Sequence, residues 1–273
     1  MDDIKSLEEM ARKVRIKTLE IIHRAQSGHC GGSLSATDIL TVLYYYKLRI
    51  RPEDPEWEDR DRFVLSKGHA APPVFVLLAM LGFYDEEELK GFRQTDGNLQ
   101  GTVSIHNPGG EMTTGSLGQY LSVAAGMAFA GRLDKKDYKV YALLGDGEMQ
   151  EGQVWEAAMT AGHHKLGNLV AILDYNKVQM CGTVEQAINI SDPGAKFKSF
   201  GWNVVRIDGH DIKMIMKALD DIPNDPFGTP TMIVADTIKG KGVSFMEGRY
   251  QWHGGAPNDE QLETALAELG GSK

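Results

Sequence analysis

The sequence predicts an α/β protein built on a doubly wound parallel sheet with helices on both faces. Three observations lead there. Short apolar runs suited to buried strands alternate with longer segments of helical period. Two of these runs, 140–144 and 169–173, flank a helical segment at about 151–166, which has the length of a βαβ unit with a right-handed crossover. Each run stops at a polar turn, Gly145-Asp146-Gly147 after the first and Asp174-Tyr175-Asn176 after the second. Both turns therefore fall at the carboxyl ends of parallel strands, where open α/β sheets bind ligands.

The elements follow in order. Residues 4–26 read as an amphipathic helix, because Leu7, Met10, Ala11, Val14, Ile21, Ile22 and Ala25 recur at helical spacing and Gly28 stops the run. Residues 27–35 (SGHCGGSLS) read as a glycine-rich loop that places His29 between two helices, the second starting near Thr37. Residues 60–66 form a short strand that ends in Ser66-Lys67-Gly68-His69-Ala70, ahead of an apolar helix over 72–81. A short helix is expected over 86–94 and an aperiodic loop over 97–110, in which His106 precedes Asn107-Pro108. The stretch 113–119 then leads into a small-residue helix over 122–132 that suits close packing on a sheet. Beyond the βαβ unit, a strand over 201–207 ends at Asp208-Gly209-His210-Asp211. An amphipathic helix over 212–222 and a buried strand over 230–235 follow. Residues 236–255 form a loop containing Lys239, Lys241 and Arg249, and 259–269 a last helix. By residue type alone, His29 and His106 are ordinary loop histidines and His210 is a capping residue. His163 and His164 close the crossover helix, where a cation complements the dipole. No internal repeat, low-complexity tract or linker divides the chain, so one domain over 1–273 is expected.

Composition narrows the function classes. The chain has 273 residues, 42% of them hydrophobic, which is enough for a large core. A formal charge of −9 argues against general binding to nucleic acid or an anionic membrane. An anionic ligand would have to be met locally, by metal, backbone N–H groups and a few side chains. Two distant cysteines, Cys30 and Cys181, make neither a disulfide framework nor a zinc pattern and fit a reducing compartment. No apolar run approaches the ~20 residues that span a bilayer, and the first residues lack the apolar core of a signal peptide, so a cytoplasmic protein is expected.

The chemistry gathers at the two polar turns. Asp146 and Asn176 would meet at one sheet edge. A carboxylate, an amide oxygen and a neighbouring diphosphate suit Mg²⁺, which takes oxygen ligands octahedrally and often shares them with phosphates. Gly145 and Gly147 let the backbone approach a ligand closely, and the helix start that follows favours an anion. Gly-Asp-Gly, then about thirty residues, then an Asn closing the next strand resembles the thiamine-diphosphate signature. That signature usually ends in two asparagines; here Tyr175 stands in place of the first.

Further stretches resemble the transketolase family. They are Gly28-His29-Cys30-Gly31, Gly68-His69, the His106-Asn107-Pro108 loop, Thr114-Gly115-Ser116-Leu117-Gly118-Gln119, and His253-Gly254-Gly255-Ala256-Pro257, which carries one glycine more than the family's His-Gly-Ala-Pro. The resemblance implies the thiamine-diphosphate-binding fold with thiamine diphosphate and Mg²⁺ as cofactors. It implies Asp146, Asn176 and the Val178 carbonyl as metal ligands. Gly147 N–H and His69 would contact the diphosphate, and Gly115, Ser116 and Leu117 would surround the thiazolium and aminopyrimidine. His106 and His253 would reach both cofactor and substrate and His29 the donor sugar, making His29, His106 and His253 the catalytic histidines. Glu148 and Glu151 are expected to point away from the anion or support the helix start.

The resemblance covers only the first part of a full transketolase. It therefore implies the N-terminal subunit of a split enzyme that transfers a two-carbon ketol unit between sugar phosphates. A C-terminal partner chain would bring the pyrimidine-binding domain and the activating glutamate, and an α2β2 heterotetramer would result. Two alternatives remain at this point. One is the α subunit of another split thiamine enzyme, a 2-oxo acid dehydrogenase or a relative of deoxyxylulose-phosphate synthase. The other is a cofactor-binding scaffold without turnover.

Overall fold

A computed structural model describes residues 3–270. The chain opens with α1 (Ile4–Ala25), whose first turn is capped by Asp3 accepting from Ser6 N at 3.3 Å. Next come α2 (Cys30–Val42), β1 (Arg62–Leu65), α3 (Ala71–Leu81) and α4 (Tyr120–Leu133). The unit β2 (Val140–Gly145), α5 (Gly152–His163) and β3 (Leu169–Tyr175) follows, then a two-stranded hairpin of β4 (Val178–Gln179) and β5 (Gly182–Thr183). The chain closes with α6 (Val184–Ala187), α7 (Pro193–Ser199), β6 (Asn203–Asp208), α8 (Ile212–Asp220), β7 (Thr231–Asp236) and α9 (Asp259–Glu268).

Five strands form one parallel sheet in the order β1-β2-β3-β7-β6. The alternation along the strands explains why helices cover both faces. Phe63, Tyr141, Leu143, Val170, Ile172 and Ile233 pack into one core with residues of α1, α2, α3 and α8. Val64, Val140, Ala142, Leu144, Ala171 and Val234 pack into the other with residues of α4, α5 and α7. The winding runs outward from β1 to β3, jumps to β6, and returns to insert β7 beside β3. The strand order thus reverses at β3 and β7, and a crevice opens beyond their carboxyl ends.

The predicted fold class is the observed one, with local differences. The glycine-rich stretch after His29 is helix, not loop: α2 begins at Cys30, with His29 at its cap. Its glycines answer to packing. A Cβ on Gly31 would lie 2.8 Å from Trp252 O and 2.9 Å from Lys239 Cγ, so buried lysines can cross this helix only where side chains are missing. The short helix expected over 86–94 is a 3₁₀ segment, Glu86–Gly91, that ends when Phe92 turns extended. The crossover helix is preceded by a separate 3₁₀ turn, Gly147–Gln150. Short elements between β3 and β6, including α7 with Asp192 as cap and Pro193 in its first turn, fall below the length at which periodicity can be read.

Candidate active site

A cleft of about 170 Å³ lies at the carboxyl edge of the sheet. Asp146, Asn176 and Val178 form one bank, and Lys67, His69, Lys239 and His253 the other. On the first bank Asp146 is 3% exposed. One of its oxygens accepts from Gly147 N at 2.8 Å and the other from Lys177 N, so a single carboxylate ties the turn after β2 to the turn after β3. Asn176 Oδ1 accepts from Val178 N at 3.1 Å. Burial, then the nearby Asp174 carboxylate, push the Asp146 carboxyl up to about 6. Among the described residues no cation pairs with it at ion-pair distance.

The side-chain oxygen of Gln179 is also buried without a partner and faces Gly147, where a Cβ would lie 3.3 Å away. Among the described residues no group of three His, Cys, Asp or Glu side chains suits a metal. The bank offers instead one carboxylate, one amide oxygen and one backbone carbonyl. Such an all-oxygen set with a single charge fits a hard cation that takes its remaining ligands from phosphate and water.

The second bank is cationic and imidazole-rich. Lys67, 2% exposed, crosses below the cleft to Asp174 at 2.6 Å and also donates to Gly32 O at 3.1 Å. Asp174 further accepts from Ser35 Oγ at 2.6 Å and from Thr237 Oγ1. Burial alone would raise its carboxyl, but Lys67 and these hydrogen bonds outweigh burial and hold it below the ordinary carboxylate range. Lys239, also 2% exposed, donates to Val178 O at 3.0 Å and lies 3.1 Å from His253 Nδ1. An ammonium has no acceptor, so His253 Nδ1 accepts and its proton sits on Nε2. Burial, then Lys67, pull Lys239 down to about 8.

The rings of His29, His69 and His253 cluster, with centroids 5.2 Å apart for His29 and His69, 5.8 Å for His29 and His253, and 5.0 Å for His69 and His253. Burial, with Arg93 and then Lys239 and Lys67, brings His29 down to about 4. Burial and Lys239 bring His253 down to about 3, and burial and Lys67 hold His69 well below its ordinary value. All three imidazoles are neutral at neutral pH. The extra glycine of 253–257 is accommodated at Gly255, whose φ of 140° suits glycine and whose N–H donates to Gly28 O at 2.8 Å. That bond draws the His253 loop against the His29 loop.

The other candidates fall as follows. Leu117 lines the cleft, whereas Gly115 and Ser116 lie on the exposed turn before it, with Ser116 N donating to Tyr120 Oη at 3.2 Å. His106 is exposed, does not line the cleft, and stands apart from the other three rings. Glu148 departs from expectation. It points inward, is 2% exposed, and accepts from Ser66 Oγ, from Gly118 N at 2.8 Å and from Gly145 N at 3.1 Å. These donors satisfy a buried carboxylate and lock three cleft loops together, a role that only the folded chain reveals. Tyr175 turns its ring away, toward Lys177 Nζ at 5.3 Å and the Arg206 guanidinium at 5.4 Å. Lys67 and Lys239 carried no sequence signal beyond their glycine neighbours.

Comparison with known proteins identifies this architecture. The family model for the thiamine diphosphate binding domain of transketolase matches residues 6–272. The chain belongs to the transketolase family. It is this family's thiamine-diphosphate-binding domain, and its relatives include proteins of similar length. It is 41% identical over 266 residues to an apulose-4-phosphate transketolase subunit of Phocaeicola vulgatus, covering 97% of this chain and 94% of that one. It is 41% identical over 264 residues to the 6-deoxy-6-sulfo-D-fructose transketolase subunit SqwG of a Clostridium species, covering 96% of each. Among solved structures, the transketolase of Campylobacter jejuni superposes with a TM-score of 0.92 at 36% identity. There 99% of this chain is covered but only 43% of the other, so this chain spans less than half the length of that transketolase.

Proposed function

We propose that this chain is the N-terminal subunit of a two-chain transketolase that moves a two-carbon ketol unit between sugar phosphates. The observation that carries the reading is the two-banked cleft, with an all-oxygen bank beside a bank of buried lysines and neutral imidazoles at one sheet edge. Asp146, Asn176 Oδ1 and the Val178 carbonyl would hold Mg²⁺. Gly147 N–H, His69 and Lys239 would meet the diphosphate. Gly115, Ser116 and Leu117 would wall the rings. When bound, thiamine diphosphate supplies the carbanion chemistry of ketol transfer.

The protein's own part is to hold and to steer protons. A neutral imidazole can take a proton from a sugar hydroxyl and give it back, and His253 Nε2–H offers a donor whose direction Lys239 fixes. We assign substrate and proton contacts to His29, His253 and, from its exposed loop, His106. Two relatives of similar length are named as subunits, which supports a separate C-terminal partner that brings the pyrimidine-binding domain and the activating glutamate. An α2β2 assembly in the cytoplasm is the form we infer. Among the described residues no helix is long and apolar enough to cross a membrane.

The test is reconstitution. The chain, a candidate C-terminal partner, thiamine diphosphate and Mg²⁺ are mixed and assayed for ketol transfer from xylulose 5-phosphate and for pyruvate decarboxylation. Ketol transfer by the mixture and by neither chain alone is expected. Full transfer by this chain alone, or decarboxylation without transfer, would overturn the reading.

A further inference from the structure

The turn after β6 lies outside the cleft, yet its histidine reaches the loop that fills it. His210 Nδ1 is 2.7 Å from Asp38 Oδ2, and its Nε2 accepts from Ile238 N at 2.8 Å. A backbone amide can only donate, so Nε2 carries the lone pair and the ring's proton sits on Nδ1, donated to Asp38. Asp38 is itself held by Arg15 through two bonds of 2.8 and 2.6 Å, and Arg15 also reaches Leu34 O at 3.3 Å. A continuous polar chain thus runs from α1 through α2 and the β6 turn to the peptide of Ile238. Ile238 immediately precedes Lys239. Ile238 is 39% exposed, so its packing alone does not fix this peptide. Polar bonds grip the loop at neighbouring points too: Thr237 Oγ1 to Asp174, and Gly240 N to Gly31 O at 2.9 Å.

We propose that His210 is a positioning residue for Lys239: by accepting the Ile238 amide while braced on the Asp38–Arg15 pair, it sets the direction in which Lys239 enters the cleft. The proposal rests on the reading of the cleft as a diphosphate site. Removing His210 frees the Ile238 amide and loosens the segment 237–242, so the ammonium no longer meets Val178 O and His253 together. Substituting Lys239 itself removes the charge but leaves the loop in place.

The experiment has two arms. In the first, amide hydrogen exchange is followed in the chain without cofactor, comparing wild type, His210→Phe and His210→Gln. Phenylalanine removes both ring nitrogens, whereas glutamine can still donate to Asp38 or accept from Ile238. Exchange across 237–242 is expected to quicken about tenfold in H210F, the order lost with one buried hydrogen bond, and to return toward wild type in H210Q. Unchanged exchange in folded H210F would overturn the proposal, as would uniform acceleration that includes β2 and β3, which would mark a purely structural role. In the second arm, affinity for magnesium pyrophosphate is measured in H210F, K239M and the double variant. Equal, non-additive losses are expected. A loss in K239M without one in H210F would overturn the positioning role. No loss in either would remove the diphosphate reading of the cleft and leave the exchange arm to decide the positioning.

Discussion

The two banks of the cleft are built on opposite principles. The oxygen bank is made of strand ends. Asp146 follows β2 and Asn176 follows β3, and backbone amides hold their oxygens in place. Its single carboxylate is buried without a cation of its own and is raised to about 6, an arrangement that a divalent ion would relieve. The opposite bank is made of long side chains threaded through gaps. Lys239 passes over Gly31, where a Cβ would lie 2.9 Å from its Cγ, and Lys67 over Gly32, where a Cβ would crowd its Nζ at 3.1 Å, and their charge helps keep three imidazoles neutral. One bank lacks a cation and the other holds buried ammonium groups and neutral imidazoles, a contrast that fits the metal-bound diphosphate proposed above.

Variants can break this contrast at either side. The largest effect is expected for Lys67→Met, which strands the Asp174 carboxylate at zero exposure. A loss of about 3–5 kcal/mol in urea denaturation is expected, with part of it recovered in the Lys67→Met, Asp174→Asn double variant. If the single variant were as stable as wild type, the pair would not be structural. Asp146→Ala strikes the other bank and should weaken Mg²⁺-dependent cofactor binding by at least ~100-fold, the upper end of the cost of losing even an outer-sphere partner. Calorimetry showing wild-type affinity would refute the metal assignment.

Lys239→Met should lower affinity for magnesium pyrophosphate by about tenfold, the scale of one charge-assisted hydrogen bond, and, because it frees Val178 O, should not weaken binding of Mg²⁺ alone. A parallel loss of Mg²⁺ affinity would mean that the banks are not separable.

The smallest expected effect concerns pH. His29 binds its proton near pH 4 in the folded chain and near its ordinary 6.5 when unfolded. Between these values the unfolded chain holds more protons, so the stability contributed by the neutral ring is whole above 6.5 and is lost as pH falls toward 4. His29→Gln should flatten the fall in melting temperature across that window. An unaltered slope would show that the ring titrates normally in the fold.

The oxygen bank was largely legible in the sequence and the cationic bank was not. Asp146 and Asn176 announce themselves because a strand that ends in Gly-Asp-Gly, a helix and a second strand ending in Asn is a local pattern with a fixed period. The imidazoles of His29, His69 and His253 were located only through a resemblance to a known family, which also names His106, an exposed loop residue outside the cluster that the other three rings form. Lys239 read as one of three basic residues in a loop because nothing in 236–255 marks it as buried. Its burial depends on Gly31, more than two hundred residues earlier. Glu148 read as a charge to be kept from an anion, and two of its three donors, Ser66 and Gly118, come from loops that reach it only after the sheet is wound.

Period and composition alone thus determined the sheet, its parallel winding, the edge at which the two polar turns meet and the oxygen-bearing side chains of Asp146 and Asn176 there, because these depend on neighbours within one βαβ unit. The tertiary structure alone decided which cations face those oxygens, which histidines share a cluster and which ring nitrogen of His253 and of His210 carries the proton. Those properties arise from side chains that are distant in sequence and are brought together at the point where the winding reverses between β3 and β7.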